Sequence, residues 1–549
     1  MKNKFFTYAI AIASGVIALS SCTSSFDEYN TNESGVSGKK KEAHFLYVAG
    51  GIPQMEQSIY FNYDNSDWAF QIMQNLSADL FSGYLTPPTP FNNDLNNINY
   101  FMMTGWNSHS FERYNNNIMK PWLETKNAIG KDKKFSEVYG VALILKVMGM
   151  QRMTDIYGPI PYSKYGEGGV SSVYDSQKEI YSQFFKELDE AVKLIRDYQA
   201  GPNKDVNALK DYDDIFGGDF NMWLKLANSL RLRVAIRISK VNPDLAKKQG
   251  ELAMSDKAGV LENKDVLVST KSMKNPLCIV ADAYGDSRMS ADMESIMVGL
   301  KDPRISKYFS FATDEEIVKK YGKEHYQGIR QGTHMVNKDL RKNYSTLSDA
   351  YMQVNAHSTP VQLMTAAEVY FIRAEGVLRG WSNMGGTAQS LYEMGIKTSF
   401  NLRGVTGADE YIKNSTNKPT AYEDIKEPKY NSQPVSTVTV AWNDGDDNEK
   451  KLEKIITQKW IANWPEGQEA WSEFRRTGYP RLFPIIVNNS AGTIDSKIMI
   501  RRLPFPDSER KNNSAELEKA IKLLGGPDNG GTKLWWDTNA GAADGKPNF

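Results

Sequence analysis

The chain has 549 residues, of which 40% are apolar and 24% are charged, and its 66 lysine and arginine residues balance 66 aspartate and glutamate residues. This composition excludes a disordered chain and a coiled coil, and the zero net charge excludes a protein that holds nucleic acid through a basic surface. The length allows several domains of about 150 residues or one elaborated helical scaffold. Neither disulfides nor a structural metal are needed for folding, because such a chain buries about three quarters of its unfolded surface.

The N-terminus has the pattern of a secretory signal peptide. Lys2 and Lys4 precede an apolar run, residues 5–19, that is too short to span a bilayer. Leu19-Ser20-Ser21-Cys22 then resembles a bacterial lipobox, in which the cysteine thiol receives a diacylglyceryl group before cleavage and the new amino group is acylated. We predict a lipoprotein signal peptide over residues 1–21 and lipidation of Cys22, with an ordinary signal peptide and a chance cysteine as the alternative.

The segment after Cys22 is polar and rich in Ser, Asn, Gly and Lys. Such a composition is typical of a flexible linker, so residues 22–41 are predicted to be a lipidated tether that holds the folded part away from the membrane. No later segment approaches about 20 consecutive apolar residues. We therefore expect one folded domain over residues 42–549.

Metal and thiol chemistry have little support in the sequence. The histidines are His44, His109, His325, His334 and His357. They form no HExxH pair and have no cysteine partners at zinc-finger spacing, so we predict no metal and no cofactor. Cys278 lies in an apolar stretch, which favours a buried small hydrophobic residue over a nucleophile. A calcium site is conceivable where oxygen ligands crowd together, but their order does not match an EF-hand loop and a solvated acidic turn is favoured. Those acids are Asp444, Asp446, Asp447 and Glu449.

Helical signals recur along the chain. Ser176 and Glu179 form a capping box ahead of apolar residues at spacings of three and four, and Thr365 with Glu368 repeats the device ahead of a stretch that ends at Gly380. The predicted helices, in chain order, cover 137–154, 176–195, 221–239, 365–378, 387–402 and 451–463. The predicted strands are short and cover 266–270 and 435–441.

The predicted fold is mainly α, built of tetratricopeptide-like helix pairs with long loop-rich insertions and a few short strands. The helices at 365–378 and 387–402 form the plainest pair, although no repeat of about 34 residues is visible. The insertions, residues 82–99 and 414–448, are rich in Asn, Asp and Pro. Long irregular segments in a compact protein are usually functional or disordered, and Pro87, Pro88 and Pro90 favour order in the first.

Five sequence blocks, read together, resemble the SusD/RagB family. The blocks are RMTDIYGPIPY at 152–162, WLKLANSLRLR at 223–233, AEVYFIRAE at 367–375, QKWIA at 458–462 continuing to EFRRTGYP at 473–480, and RLPFP at 502–506 ending near LWWD at 534–537. The resemblance implies a surface-exposed outer-membrane lipoprotein on tetratricopeptide-like helix pairs. It also implies capture of nutrients, mostly glycans, and a partnership with a SusC-like TonB-dependent transporter.

Charged residues within these blocks have two interpretations. They resemble a basic patch or a catalytic cluster, but their interleaving with apolar residues favours ion pairs inside the scaffold. The residues concerned are Arg231, Arg233, Arg237, Glu473, Arg475 and Arg476. Asp155 and Tyr157, which come just before Gly158-Pro159, are predicted to serve the turn that ends their helix.

The first insertion supplies the groups that a sugar site needs. Sugars present C–H faces and hydroxyl edges, so their sites combine an aromatic platform with amide or carboxylate groups. The candidate ligand-binding residues are Trp68, Tyr84, Phe91, Asn92, Asn93, Asp94 and Trp106, with Trp442 in the second insertion as a further candidate. The alternative is that the aromatic residues pack on the helices beneath, which a shared helical face favours for Trp106, Phe111 and Tyr114.

The predicted function is binding of an oligosaccharide without catalysis and its delivery to a SusC-like transporter. There is no Walker A sequence, no G-x-S-x-G elbow and no zinc motif, so no catalytic residue is assigned. Two alternatives remain open. One is peptide capture by the same fold. The other is a glycan hydrolase, which needs only two carboxylates at about 5 to 10 Å.

Overall fold

A computed structural model of the protein describes residues 45–60, 62–131, 133–168, 171–538 and 549. The predicted signal peptide, Cys22, the predicted tether and His44 lie outside the described residues. Within the described residues, no helix combines the length and the apolar character that a membrane span requires.

Helices account for most of the regular structure. The helices are α1 (Leu46–Ala49), α2 (Ile52–Ser58), α3 (Asp67–Phe70), α4 (Thr104–Asn107), α5 (His109–Tyr114), α6 (Lys120–Lys131), α7 (Ser136–Tyr157), α8 (Gln177–Ala200), α9 (Phe220–Arg237), α10 (Pro243–Ser255), α11 (Pro276–Cys278), α12 (Ala291–Met293), α13 (Ile305–Tyr308), α14 (Glu315–Tyr321), α15 (Ala366–Leu378), α16 (Ala388–Leu402), α17 (Ala408–Ile412), α18 (Asn448–Asn463), α19 (Gly467–Thr477), α20 (Asp507–Asn512) and α21 (Ser514–Leu524). The π-helical turns that continue α3, α5, α11 and α12 are Gln71–Asp79, Asn115–Met119, Ile279–Ala283 and Glu294–Val298.

The strands are short and form antiparallel pairs. The pairs are β1 (Leu85–Thr86) with β5 (Arg288–Met289), β2 (Ile160–Pro161) with β3 (Tyr174–Asp175), and β4 (Val266–Val268) with β6 (Val361–Met364). The strand predicted at 266–270 is confirmed as β4. The strand predicted at 435–441 is wrong, because this segment is in no ladder with another described residue.

The mainly α prediction is confirmed. The most extensive helix packing joins α7 with α8, α15 with α16, and α9 with α10, which is the arrangement of consecutive helix pairs. Local signals place the helix ends: Ser176 and Glu179 form both bonds of a capping box at α8, and Thr365 accepts from the Glu368 N–H at α15. Gly380, just past α15, has φ of 75° and supplies the left-handed turn that ends the helix.

A single large hydrophobic core runs through the helix pairs and carries the indoles of Trp223, Trp464, Trp471 and Trp536 fully buried. Cys278 is also fully buried, and burial raises the pKa of its thiol to about 12. The prediction that Cys278 is a small core residue is therefore confirmed. A smaller cluster beside the core contains Ala312, Ile317, Ile329, Met335 and Tyr344.

Buried ion pairs tie the helices together, which confirms the structural interpretation of the charged blocks. Arg233 on α9 contacts Glu368 on α15 at 2.6 Å, and Arg476 on α19 contacts Glu375 at 2.6 Å and Glu473 at 2.7 Å. Burial raises the pKa of Glu473, but Arg476 and nearby cations outweigh it and hold that pKa well below its ordinary value. These charged side chains pair with one another inside the scaffold.

Two further residues of this network correct the sequence prediction. Asp155 does not serve a turn: it is buried, accepts hydrogen bonds from the Tyr181 hydroxyl at 2.6 Å and the Trp536 indole N–H at 2.9 Å, and lies 3.3 Å from Arg237 Nε. Tyr157 is equally buried, and its ring packs edge-on against Phe111 with centroids 5.3 Å apart. Both residues hold helices to one another rather than capping one.

Candidate functional site

The first insertion is an ordered loop that uses its asparagines to fix its own backbone. Asn92 and Asn93 both have φ of 48°, a left-handed conformation that asparagine tolerates better than most residues. The Asn97 amide donates to Asn107 Oδ1 at 2.8 Å, and the Asn96 side chain accepts from the Ile98 N–H at 2.8 Å. These bonds hold the loop against α4 in one conformation.

Part of the predicted site lies together on the surface of this loop. The ring of Phe91 meets that of Trp106 edge-on, with centroids 5.6 Å apart, and Asn92 and Asn93 beside it are exposed. Trp68 is 49% exposed and packs against the ring of His109, three residues beyond Trp106, with centroids 5.0 Å apart. We call Trp68, Phe91, Asn92, Asn93, Trp106 and His109 the loop surface.

Phe111 and Tyr114, predicted to pack on the scaffold, are buried as expected. Trp106 is half-buried: its ring packs against Phe91, and part of the ring stays accessible.

Two predicted site residues have other roles. Tyr84 is fully buried, its hydroxyl donates to the Trp460 carbonyl and its ring lies 4.9 Å from the Trp460 ring, so its prediction as a sugar platform is wrong. Only 8% of Asp94 is exposed. Its carboxylate contacts His334 Nδ1 and accepts a hydrogen bond from the Met335 N–H at 3.3 Å. It anchors the loop and is not an open ligand contact.

The structure adds neighbours that the sequence did not single out. His334, which binds Asp94, keeps 53% of its side chain exposed, and Val336 next to it is 59% exposed. Lys338 contacts Asp286 at 2.8 Å, and the Thr89 hydroxyl bonds to the same carboxylate. Segment 334–338 therefore borders the loop although it lies more than 200 residues away in sequence, and no local signal marks it.

A second group of accessible aromatic rings lies on the segment that carries α14. Phe311 is 40% exposed and packs against Tyr326 with centroids 4.6 Å apart. Tyr321 is 37% exposed and stacks on His325 at 4.1 Å. The small core cluster beneath this segment includes Met335, the residue that donates its N–H to Asp94. This group is a second location at which a ring could be offered to a ligand.

Burial and a neighbouring cation favour the neutral form of the histidine of the loop surface. Burial lowers the pKa of His109 from its ordinary value, and the neighbouring Arg113 lowers it further. The imidazole beside Trp68 therefore offers one donor and one acceptor, and no charge. Neutral donors and acceptors beside aromatic rings suit a polar, uncharged ligand.

Trp442, the candidate from the second insertion, is half-buried. Its ring packs against Tyr392 with centroids 5.3 Å apart, and its indole N–H donates to Asp444 at 3.0 Å. The acids that suggested calcium are engaged by the protein: Asp446 lies 3.0 Å from Lys454 Nζ, and Asp447 accepts from the Lys450 N–H at 2.8 Å as the cap of α18. Glu449 accepts from the Tyr479 hydroxyl at 2.6 Å.

Residues 28–537 match the model of the SusD-like family, which comprises SusD and RagB outer membrane lipoproteins. The chain belongs to the SusD-like family. The resemblance drawn from the five blocks is thereby confirmed, and the match covers the loop surface and both insertions.

Solved structures of SusD homologues agree with this assignment. A chitin-binding SusD homologue from Flavobacterium johnsoniae is 43% identical, with a TM-score of 0.84 over 91% of this chain and 100% of that chain. A homologue from Bacteroides vulgatus is 39% identical, with a TM-score of 0.85 over 93% and 100%. One from Bacteroides uniformis is 33% identical, with a TM-score of 0.80 over 90% and 99%. A search of curated proteins found no match.

Proposed function

We propose that this SusD-like protein binds an oligosaccharide at the loop surface, leaves it chemically unchanged and delivers it to a SusC-like TonB-dependent transporter. In this proposal Cys22 carries the lipid that anchors the chain to the outer membrane, residues 1–21 are the signal peptide, and residues 22–41 are the tether of a binding domain at 42–549. The protein faces the cell exterior, where polymeric nutrients are first met.

The observation that carries the proposal is the preformed character of the loop surface. A partly accessible Trp106–Phe91 pair lies beside the exposed residues Asn92 and Asn93, and an accessible indole, Trp68, packs against His109, three residues beyond Trp106. Ring faces match the C–H faces of a sugar, and amides match its hydroxyl groups. Because the loop is already held by its own hydrogen bonds, binding loses little conformational entropy.

The relatives suggest which sugar to try first. The homologue at 43% identity is described as chitin-binding, so oligomers of N-acetylglucosamine are the first ligands to test here. The acetamido group of such a sugar also suits the neutral hydrogen-bonding groups of His109 and the two asparagines.

The one acid among the candidate site residues fits a binding role better than hydrolysis. Asp94 is held by His334 and by a backbone N–H, whereas a glycosidase needs two carboxylates that face its substrate. Incubation of the pure protein with a chitin oligosaccharide should return the ligand intact. Product that accumulates beyond one equivalent of protein would place the chain among the hydrolases.

The direct test is calorimetric titration with a chitin oligosaccharide. Replacing Trp68 by Ala should weaken binding about tenfold to a hundredfold, because it removes an aromatic anchor worth roughly 1 to 3 kcal/mol. Asn93→Gly should weaken it less, because glycine keeps the left-handed φ of 48° and removes only the exposed amide. Leu252→Ala is the matched control, because Leu252 is 45% exposed on α10, outside the loop surface.

Three results would redirect the proposal. Unchanged affinity in both loop variants, with chitin still bound, moves the site to the rings at Phe311 and Tyr321. Binding of a peptide library in preference to sugars supports the peptide-capture alternative. Loss of thermal stability in Trp68→Ala, with affinity retained, makes Trp68 a packing residue.

A further inference from the structure

The 435–441 segment of the second insertion has no strand partner among the described residues, and none of its residues has a positive φ. Its side chains alternate between buried and accessible, which is the period of an extended chain. The buried ones are those of Ser436, Val438 and Val440, and the more accessible ones are those of Val435, Thr437 and Thr439. The segment therefore has the side-chain alternation of the predicted strand, but it lacks hydrogen-bonded pairing with another described segment.

The two edges of this segment differ. In an extended chain, the backbone groups of alternate residues point to the same edge. On one edge the Val438 N–H donates to Ser436 Oγ at 3.1 Å and the Val440 carbonyl accepts from the Tyr392 hydroxyl at 2.7 Å. On the other edge the N–H groups of Thr437 and Thr439 have no hydrogen-bond partner among the described residues. An unpaired edge of this kind is a template for an added strand.

A groove lies beside the unpaired edge. The Ala441 N–H donates to the Asn414 carbonyl at 2.9 Å, so the chain at 414 starts a pairing that does not continue. Where the pairing stops, a groove of about 520 Å³ opens, lined by Thr437 and Thr439 on one side and by Ser415 and Lys418 on another. Thr437 and Thr439 therefore border open space.

We propose that this groove docks an extended, acidic peptide strand of a partner protein, which pairs with the Thr437 and Thr439 edge. The charge of the lining favours an acidic strand. Lys418, Lys450 and Lys454 line the groove together with the single acid Asp446, which lies 3.0 Å from Lys454 and 3.7 Å from Lys450. Backbone pairing supplies affinity in such strand addition, and alternate side chains supply specificity.

A sugar is a poorer fit for this groove. Trp442 is the only aromatic residue in the lining, and its ring is already in use: Tyr392 packs against it, and the Lys451 ammonium lies 6.0 Å from the ring centroid. A sugar would need a free ring face. This inference is independent of the loop surface, and the failure of either leaves the other standing.

The test uses a fluorescein-labelled peptide of about seven residues, alternating valine and aspartate, and the full-length mature protein in an anisotropy titration. Two matched peptides carry N-methyl groups on one or the other alternate set of amides. One set should abolish binding because it points to the protein, and the other should leave binding intact because it points to solvent. On peptide binding, hydrogen exchange should slow at the amides of Thr437 and Thr439.

Charge reversal tests the protein side. Lys418→Glu and Lys450→Glu should each weaken the unmodified peptide by about tenfold, whereas Lys413→Glu, an exposed lysine outside the lining, should not. Absence of binding overturns the proposal. Equal binding of the two methylated peptides also overturns it. The proposal fails as well if an acidic oligosaccharide such as oligogalacturonate displaces the labelled peptide and unlabelled peptide does not.

Discussion

Glu137, in the first turn of α7, makes the stability of this protein sensitive to pH. The residue is fully buried, and neither carboxylate oxygen has a hydrogen-bond partner in another described residue. Burial raises the pKa of Glu137 from 4.5 to about 7. The folded protein therefore holds the proton that the unfolded chain releases between these two values.

The sign and size of the effect follow from that difference. Below the ordinary pKa both states are protonated and Glu137 carries no penalty. As the pH rises from the ordinary pKa towards the folded pKa, the folded state keeps a proton that the unfolded chain has released, and stability is lost; above the folded pKa the loss is complete. The difference between 4.5 and about 7 corresponds to about 3 kcal/mol.

Glu137→Gln should remove this loss, because glutamine has the shape of the protonated acid and does not ionise. Urea unfolding followed by circular dichroism should give similar stability for the two proteins at about pH 4.5 and a gap of about 3 kcal/mol in favour of the variant at about pH 8. Glu410→Gln, which changes an exposed acid, is the control. A variant that gains nothing between these pH values would show that Glu137 is solvated or paired in solution.

Three further predictions test the division between scaffold and surface. Trp223→Ala should cost about 3 to 5 kcal/mol in urea unfolding because it empties a fully buried site, whereas Trp68→Ala should cost less than about 0.5 kcal/mol. Arg476→Met should cost about 3 to 5 kcal/mol because it removes the arginine that two buried glutamates share. Lys320→Met, which breaks the exposed Lys320–Glu423 pair, should barely move the unfolding midpoint. Cys22→Ala should abolish fatty-acid attachment and membrane association, as measured by mass spectrometry and fractionation, and a variant that still carries fatty acid contradicts the lipobox interpretation.

Helices were the predictable part of the fold because their signals are local. The capping box at Ser176, the cap at Thr365 and Gly380 lie within a few residues of the ends that they fix. The burial of the charged blocks was also predictable, since arginines interleaved with leucines cannot all face water. What the blocks do not reveal is that Arg233 meets Glu368 and Arg476 meets Glu375, each more than 100 residues away.

The errors share a cause in long-range contacts. Tyr84 lies in an Asn- and Pro-rich segment that looks like surface loop, but the ring turns inward because Trp460, 376 residues later, supplies a carbonyl and a ring to receive it. Asp155 has the local setting of a turn residue, yet Trp536 supplies the N–H that fixes it within the core. Segment 435–441 has the alternation of a strand, but pairing requires a second chain segment, and alternation cannot show whether one is present.

The arrangement of the loop surface bears on how the protein would select a ligand. Its asparagines divide into two groups by role: Asn92, Asn96 and Asn97 bond within the loop or to α4, while Asn93 remains exposed. Substitution of the first group should lower affinity by loosening the loop, and substitution of the second should lower it by removing contacts. Only the first group should slow association and raise the exchange of loop amides, because a loose loop must be ordered at each binding event. In such a site, substitution of exposed residues can change the sugar that is bound, while the buried amides keep the loop in place.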